Sequence, residues 1–255
     1  MQANFPTAAW PGMLPPPSFE VLWAAVFPGA SCQMSLLPLA EDEPPLAPIG
    51  FLRPDELRQW QSFASDKRKR EWLGGRLCAY GCARRLARLW QDEKPAMNDF
   101  QVRDWWLANA EDGRPCWQGN IPEALWKTHI SISHGGGYAL AVMARLPVGV
   151  DVQPCQAKVE RVAAQFANRQ EENILTRLAP AEDRPTRLTL LWSAKESVRK
   201  ATDDLPPFLA MRLIHGKREK DGWRLTLTWQ EGERETTVAA TLHDGHAFAF
   251  CLLEE

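Results

Sequence analysis

Apolar residues recur at three- and four-residue spacing through Leu191, Ala194, Val198 and Ala201. This period predicts a helix beginning near Thr186 with one buried stripe. On the neighbouring face Trp192, Glu196 and Lys200 are four residues apart, so an indole, a carboxylate and an ammonium stack above one another, with Lys195 beside them. A second helical period runs through Leu73, Leu77, Tyr80, Ala83, Ala87 and Trp90, and predicts a long helix from Asp66 to Trp90 with Asp66 a candidate cap. Glu160 to Glu172 reads as helical. A short helix is expected from Arg53-Pro54-Asp55-Glu56 towards Phe63.

Alternating or β-rich stretches predict strands at Val21–Phe27, Thr128–Ser133, Tyr138–Leu146, Val148–Gln153, Phe208–Ile214, Gly222–Trp229, Glu235–Leu242 and Ala247–Leu252. In the sixth of these, Trp223, Leu225, Leu227 and Trp229 share one side. Asp112-Gly113-Arg114-Pro115 is a turn with an arginine at its tip, and His243-Asp244-Gly245-His246 joins the last two strands. Met1 to Phe19 reads as a Pro- and Ala-rich tail. Leu36 to Leu52, broken by Pro38, Pro44, Pro45 and Pro48, reads as loop. Pro95 to Ala110 has no clean period. Helix and mainly hairpin-connected strands therefore occur on both sides of Pro147. The expected class is α+β, with two similar lobes in a pseudo-twofold arrangement, each a small mainly antiparallel sheet with a long packed helix. The expected divisions are an extended segment 1–20, an N-terminal lobe 21–146 and a C-terminal lobe 147–255, with a ligand in the cleft between the lobes.

Composition narrows the classes. The chain has 255 residues, 45% hydrophobic and 24% charged, an ordinary globular mixture with room for one large domain or two of half the size. A formal charge of -2 argues against a wholesale nucleic-acid coat, though a local basic patch is allowed. Six cysteines in a chain of this length do not suggest a disulfide scaffold. Cys78 and Cys82, one helical turn apart with no Cys-His cluster following, read as buried small hydrophobes. Met1 to Ala9 lacks a basic start followed by an apolar run, and no stretch is long and apolar enough to span a bilayer, so the expected compartment is the cytoplasm.

The chemistry starts at Val150-Asp151-Val152-Gln153. On a strand the two valines face one way, and Asp151 and Gln153 the other. If Glu196 meets Asp151 across a strand–helix junction, two carboxylates and one amide oxygen form a hard-cation site suited to magnesium. Lys195, Lys200 and the basic run Lys67-Arg68-Lys69-Arg70 can neutralise phosphate oxygens, either as a phosphate grip or, for the run, as a solvated helix face. Ser133-His134-Gly135-Gly136-Gly137 is either a hairpin turn or a corner that holds phosphate through close backbone approach. Together these parts amount to metal-assisted phosphoryl transfer. An amphipathic helix with an ordinary Glu196–Lys200 pair is the alternative. Neither Gly-x-x-x-x-Gly-Lys-Ser/Thr nor Gly-x-Gly-x-x-Gly occurs, so the common nucleotide-binding folds have no support.

Gly149-Val150-Asp151-Val152 followed by Trp192-Ser193-Ala194-Lys195-Glu196-Ser197-Val198-Arg199-Lys200 resembles the bipartite signature of the 4′-phosphopantetheinyl transferase superfamily. Asp112-Gly113-Arg114-Pro115, Ser131-Ile132-Ser133-His134 and Arg70-Glu71-Trp72-Leu73-Gly74-Gly75-Arg76 resemble three further motifs of that family. In length the chain resembles the larger, monomeric, two-lobed members, the surfactin-synthetase-activating type, rather than the short trimeric ones. The resemblance implies transfer of 4′-phosphopantetheine from coenzyme A to a serine of an apo-acyl or peptidyl carrier protein, with adenosine 3′,5′-bisphosphate released. It implies Mg2+ at Asp151 and Glu196, with Gln153 where the family often has a second acid. It implies phosphate contacts from Ser133, His134, Lys195 and Lys200.

Arg68, Arg70, Arg76 and Arg114 are the basic candidates for coenzyme A. Glu196 is the candidate base, and Lys195 and Lys200 stabilise charge on the phosphates. The expected partner is a small acidic helical carrier, docking near Lys158, Arg161 and Phe166. No membrane and no nucleic-acid partner is expected. An inactive relative that only binds coenzyme A or a carrier, and a nucleic-acid-binding protein using Lys67 to Arg70 and Arg84-Arg85, are the competing classes.

Overall fold

The computed structural model describes residues 14–40, 52–91 and 105–253. Expectations for residues 1–13, 41–51 and 92–104, and for the side chains of Ala87 and Trp90, lie outside the described residues. The order is α1 (Pro17–Val26), β1 (Cys32–Pro38), α2 (Pro54–Ser62), α3 (Asp66–Gln91), β2 (Trp105–Asn109), β3 (Pro115–Gly119), β4 (His129–Gly135) and β5 (Tyr138–Ala144). It continues through β6 (Val148–Pro154), a 3-10 segment (Ala157–Gln165), α4 (Arg169–Leu178), α5 (Arg184–Ala201), β7 (Arg212–Glu219), β8 (Gly222–Trp229), β9 (Arg234–His243) and β10 (His246–Leu252). The strands form antiparallel sheets ordered β1-β5-β4, β6-β10-β9-β8-β7 and β2-β3. The α+β class is therefore as expected.

Both long helices lie where their apolar periods place them. On α3, Leu73, Leu77, Tyr80 and Ala83 are buried against Ala139, Ala141 and Met143 of β5. Helix and sheet approach closely because Gly74 and Gly75 carry no side chain. A Cβ on Gly74 would stand 2.7 Å from Leu39 and 3.0 Å from Ala139, and one on Gly75 2.8 Å from Ile132. On α5, Leu191, Ala194, Val198 and Ala201 pack against the face of the five-stranded sheet that carries Trp223, Leu225, Leu227 and Trp229. Its start is capped by the Asp183 carboxylate, which accepts from the Thr186 N–H at 2.8 Å. The opposite face of that sheet presents Phe248 and Phe250 to Leu140 and Val142 of β5, so one apolar layer lies between the two larger sheets.

Five local expectations are corrected. Val21 to Phe27 is not a strand: α1 starts at Pro17, where a missing N–H leaves no helical bond unmade, and buries Phe19, Leu22, Trp23 and Val26. The spacing of these four residues is helical, and the extended segment expected over residues 1–20 gives way to helix at Pro17. Phe19 packs on Phe248 at 4.8 Å between ring centroids, so α1 lies against the five-stranded sheet. The proline-rich loop begins later than expected, because residues 32–38 pair with β5 as an edge strand that ends on Pro38. Residues 157–165 are 3-10, and the α-helix starts only at Arg169, where Asn168 and Glu171 form a reciprocal capping box. Finally, β7 begins at Arg212 rather than Phe208, because Phe208 stacks on Trp192 (4.7 Å between ring centroids).

Candidate active site

The site is built where β6 crosses α5. Valines 148, 150 and 152 enter the layer between the sheets, which turns Gly149 and Asp151 towards α5. A Cβ on Gly149 would collide with the Ser197 carbonyl oxygen. Only glycine lets the strand lie this close to the helix. Asp151 is thereby brought within 2.8 Å of the Lys200 ammonium, measured to Oδ1.

The free edge of β6 is closed by side chains from β4. The Val150 N–H donates to Ser131 Oγ at 3.1 Å, and the Val152 N–H donates to Ser133 Oγ at 3.2 Å. Two hydroxyls thus satisfy backbone groups that a further strand would otherwise take. Ser133 also donates to Asp151 Oδ1 at 2.9 Å and accepts from Lys200 at 3.1 Å, which uses its full hydrogen-bonding capacity. Lys200 completes its set with the Val150 carbonyl at 2.9 Å. Sequence reading missed the role of Ser131, although two serines alternating with isoleucines on a buried strand were a usable signal.

Asp151 is 2% exposed, and its Oδ2 is buried without a hydrogen-bond partner. An orphaned carboxylate oxygen at this depth is costly unless a cation meets it. Glu196, one turn before Lys200, lies close enough to Asp151 for the two charges to repel. Burial first, and Asp151 second, raise the Glu196 carboxyl above the ordinary range, while Lys200 and Arg199 pull it down. Gln153 is half-buried and shares the Asp151 face by strand alternation. Among the described residues no group of three or more His, Cys, Asp or Glu is gathered for a metal. Two carboxylates, one with an unused oxygen, and an amide still fit a hard cation that keeps water in its other positions.

His134 stands at the β4 end of the same corner. Arg68 Nη1 donates to its Nε2 at 3.0 Å, and the Glu71 carboxylate lies 3.5 Å from Nδ1. A guanidinium has no acceptor, so Nε2 must present its lone pair, and the ring is neutral with its hydrogen on Nδ1. Burial, opposed by Glu71, likewise holds the His134 pKa below its usual value, and Arg68 and Lys200 act in the same direction as burial. Glu71 was absent from the expected site and is its second unforeseen member. The Gly-rich corner is a hairpin turn with Gly136 and Gly137 at positive φ, and the Gly136 carbonyl faces His246 Nε2 at 2.8 Å.

Other expected site residues stand elsewhere. Lys195 is fully buried, and its three donors are taken by Glu171 Oε1 (2.7 Å), the Phe166 carbonyl (2.6 Å) and the Phe208 carbonyl (3.1 Å). It points into the core behind Glu196 with no exposed surface, whereas Lys200, whose three donors are likewise engaged, is 31% exposed; burial, not donor count, sets Lys195 apart from its expected catalytic and phosphate-binding roles. Arg76 is buried too: its Nε bonds Glu56 at 3.1 Å, and its guanidinium lies 3.4 Å over the Trp72 ring. That structural pair removes it from the coenzyme A candidates. Arg114 clamps the β2–β3 hairpin to the end of α5 through Asp203 at 2.5 Å and the Thr202 carbonyl. Phe166 is fully buried against Trp192, so it is not available as docking surface. Arg68 is exposed and Arg70 half-buried at the start of α3.

Residues 147–251 match the model of the 4′-phosphopantetheinyl transferase superfamily. Enterobactin synthase component D of Escherichia coli O157:H7 is 38% identical over 96 residues, covering 33% of this chain and 42% of that protein. The protein of the same name from Salmonella austin is 35% identical over 151 residues, covering 57% of this chain and 53% of that protein. The chain thus spans about half the length of the curated relatives it matches. The match over 147–251 takes in β6 and α5, the two elements that bring Asp151, Glu196 and Lys200 together. Residues 147–251 of this chain are a domain of the 4′-phosphopantetheinyl transferase superfamily.

Proposed function

We propose that the protein transfers the 4′-phosphopantetheine group of coenzyme A to a serine of an apo-acyl or peptidyl carrier protein, releasing adenosine 3′,5′-bisphosphate. The observation that carries this reading is the buried, unpartnered Asp151 Oδ2 beside Glu196 and Lys200, within a domain of that superfamily. Asp151 and Glu196 would hold Mg2+, with Gln153 contacting it directly or through water. When bound, Mg2+ supplies Lewis-acid polarisation to the pyrophosphate oxygens.

The chain's own residues supply the rest. Lys200 carries positive charge to the edge of the carboxylate pair, where the phosphates of coenzyme A belong. Arg68 and Arg70 extend that field along the first turn of α3, and Ser133 locks Asp151 and Lys200 in one geometry. The carrier serine oxygen attacks the phosphorus next to pantetheine, and the phosphoanhydride bond to adenosine bisphosphate breaks. Glu196 takes the serine proton.

Lys158 and Arg161, both exposed on the 3-10 segment with the partly exposed Val162, form the proposed docking surface for an acidic carrier. The protein is proposed to act as a cytoplasmic monomer. Among the described residues no helix is long and apolar enough to cross a membrane.

The direct test is incubation with coenzyme A, Mg2+ and a panel of apo-carrier proteins, followed by intact mass. A carrier gaining one phosphopantetheine arm at its serine is the expected result. Binding of coenzyme A without transfer to any carrier in the panel would reject the proposed activity.

A further inference from the structure

We propose that Glu71 is a positioning residue for His134, holding its Nδ1–H and stabilising an imidazolium when a phosphate of coenzyme A takes the place of Arg68 at Nε2. The inference rests on the reading of coenzyme A as donor, and adds to it a residue and a proton.

Three charged groups surround the ring from the elements packed against it: Arg68 and Glu71 from α3, and Lys200 from α5. In the ligand-free arrangement Arg68 occupies Nε2 as a donor, so His134 faces it with a lone pair. A phosphate oxygen cannot accept from that lone pair. To contact an anion at Nε2, the ring must carry a hydrogen there; shifting the Nδ1 hydrogen would turn a lone pair towards the Glu71 carboxylate, so the hydrogen is drawn from the buffer instead. Two cations oppose this gain. Glu71 favours it, 3.5 Å from Nδ1 with only 16% of its side chain exposed, and an arriving phosphate adds a second negative charge at the other nitrogen.

Glu71 is held in place by the close docking of α3 on the sheet at Gly74 and Gly75. Among the described residues its other ion pair, to the exposed Lys67 at 3.9 Å, is long and weak. The carboxylate is therefore committed mainly to the imidazole. The expected consequence is that coenzyme A binding takes up a proton at His134, and that affinity rises as pH falls from 8 towards 6.

Imidazole nitrogen shifts of the full-length protein, free and with coenzyme A, test this directly. The free ring should be neutral with hydrogen on Nδ1, and the bound ring should carry both hydrogens at pH 7. Glu71→Gln can still accept from Nδ1, so the free ring should be unchanged. With coenzyme A the variant ring should stay neutral, with affinity lowered about tenfold at pH 7 and its pH dependence flattened. A free wild-type ring with hydrogen on Nε2, or a bound Glu71→Gln ring protonated like the wild type, overturns the proposal. Failure to bind coenzyme A at all would reject the donor assignment instead, and the free-ring shifts would still decide whether Glu71 holds Nδ1–H.

Discussion

Lys195 Nζ lies 2.7 Å from Glu171 Oε1, and neither side chain is more than 1% exposed. Glu171 is itself a junction. It caps α4 at the Asn168 N–H (2.9 Å) and accepts from the Leu213 N–H of β7 (2.9 Å). The pair therefore fixes α5 against both α4 and β7, and sets the face on which the next residue, Glu196, emerges. Lys195→Met should lower stability by about 3–5 kcal/mol, because Glu171 is left buried without its cation. Urea denaturation checks this. Unchanged stability with a selective loss of coenzyme A affinity would restore Lys195 to the phosphate site.

The carboxylate pair should respond to metal and charge separately. Asp151→Ala is expected to lose Mg2+-dependent turnover. Glu196→Gln keeps the shape but removes charge and basicity, so it should reduce turnover far more than coenzyme A affinity. Turnover and affinity across a Mg2+ titration measure both effects. Near-normal turnover in the two variants together would remove the site from the reaction.

Gln153→Glu provides a narrower check on the third position. If residue 153 contacts the ion directly or through water, the added charge should lower the Mg2+ concentration needed for half-maximal turnover. An unchanged Mg2+ requirement would exclude residue 153 from the metal's surroundings.

Gly149→Ala tests the crossing of strand and helix. The new methyl meets backbone, the Ser197 carbonyl, which cannot swing aside as a flexible side chain could. The expected cost is about 1–3 kcal/mol, with loss of turnover because β6 is forced away from α5 and Asp151 from Lys200. A thermal melt and an activity assay together decide it. A variant with wild-type stability and rate would mean that this close approach is not needed.

Burial of neutral His134 also predicts a pH effect on stability. Its folded-state pKa is lowered below the ordinary 6.5, so between the two values the unfolded chain binds more protons. Stability should therefore fall as pH drops from 6.5 through that window. Denaturation of wild type and His134→Gln at several pH values would show it as a flatter profile in the variant.

Regular periods made much of this molecule readable from sequence. The stripe Leu191, Ala194, Val198, Ala201 fixed α5, and Trp223 to Trp229 fixed β8, because each pattern fits one backbone period and one buried face. The placement of Asp151 opposite the Val150 and Val152 face followed from strand alternation alone. The α1 helix was misread as a strand because its residues 21–27 are continuously apolar, and such a run has no period until Phe19 and Pro17 are included.

What the tertiary structure alone decided is which partner each polar group meets. Lys195 and Lys200 are five residues apart on one helix, yet one has its ammonium locked into the core by Glu171 and the other faces Asp151. Arg76 and Arg68 lie two turns apart on α3; Glu56 claims the first and His134 the second. Spacing gives the direction in which a side chain leaves its own helix. The atoms waiting there come from β4, β7, α2 and α4, far away in the chain, and only their packing determines whether a charge is spent on the fold or left for a ligand.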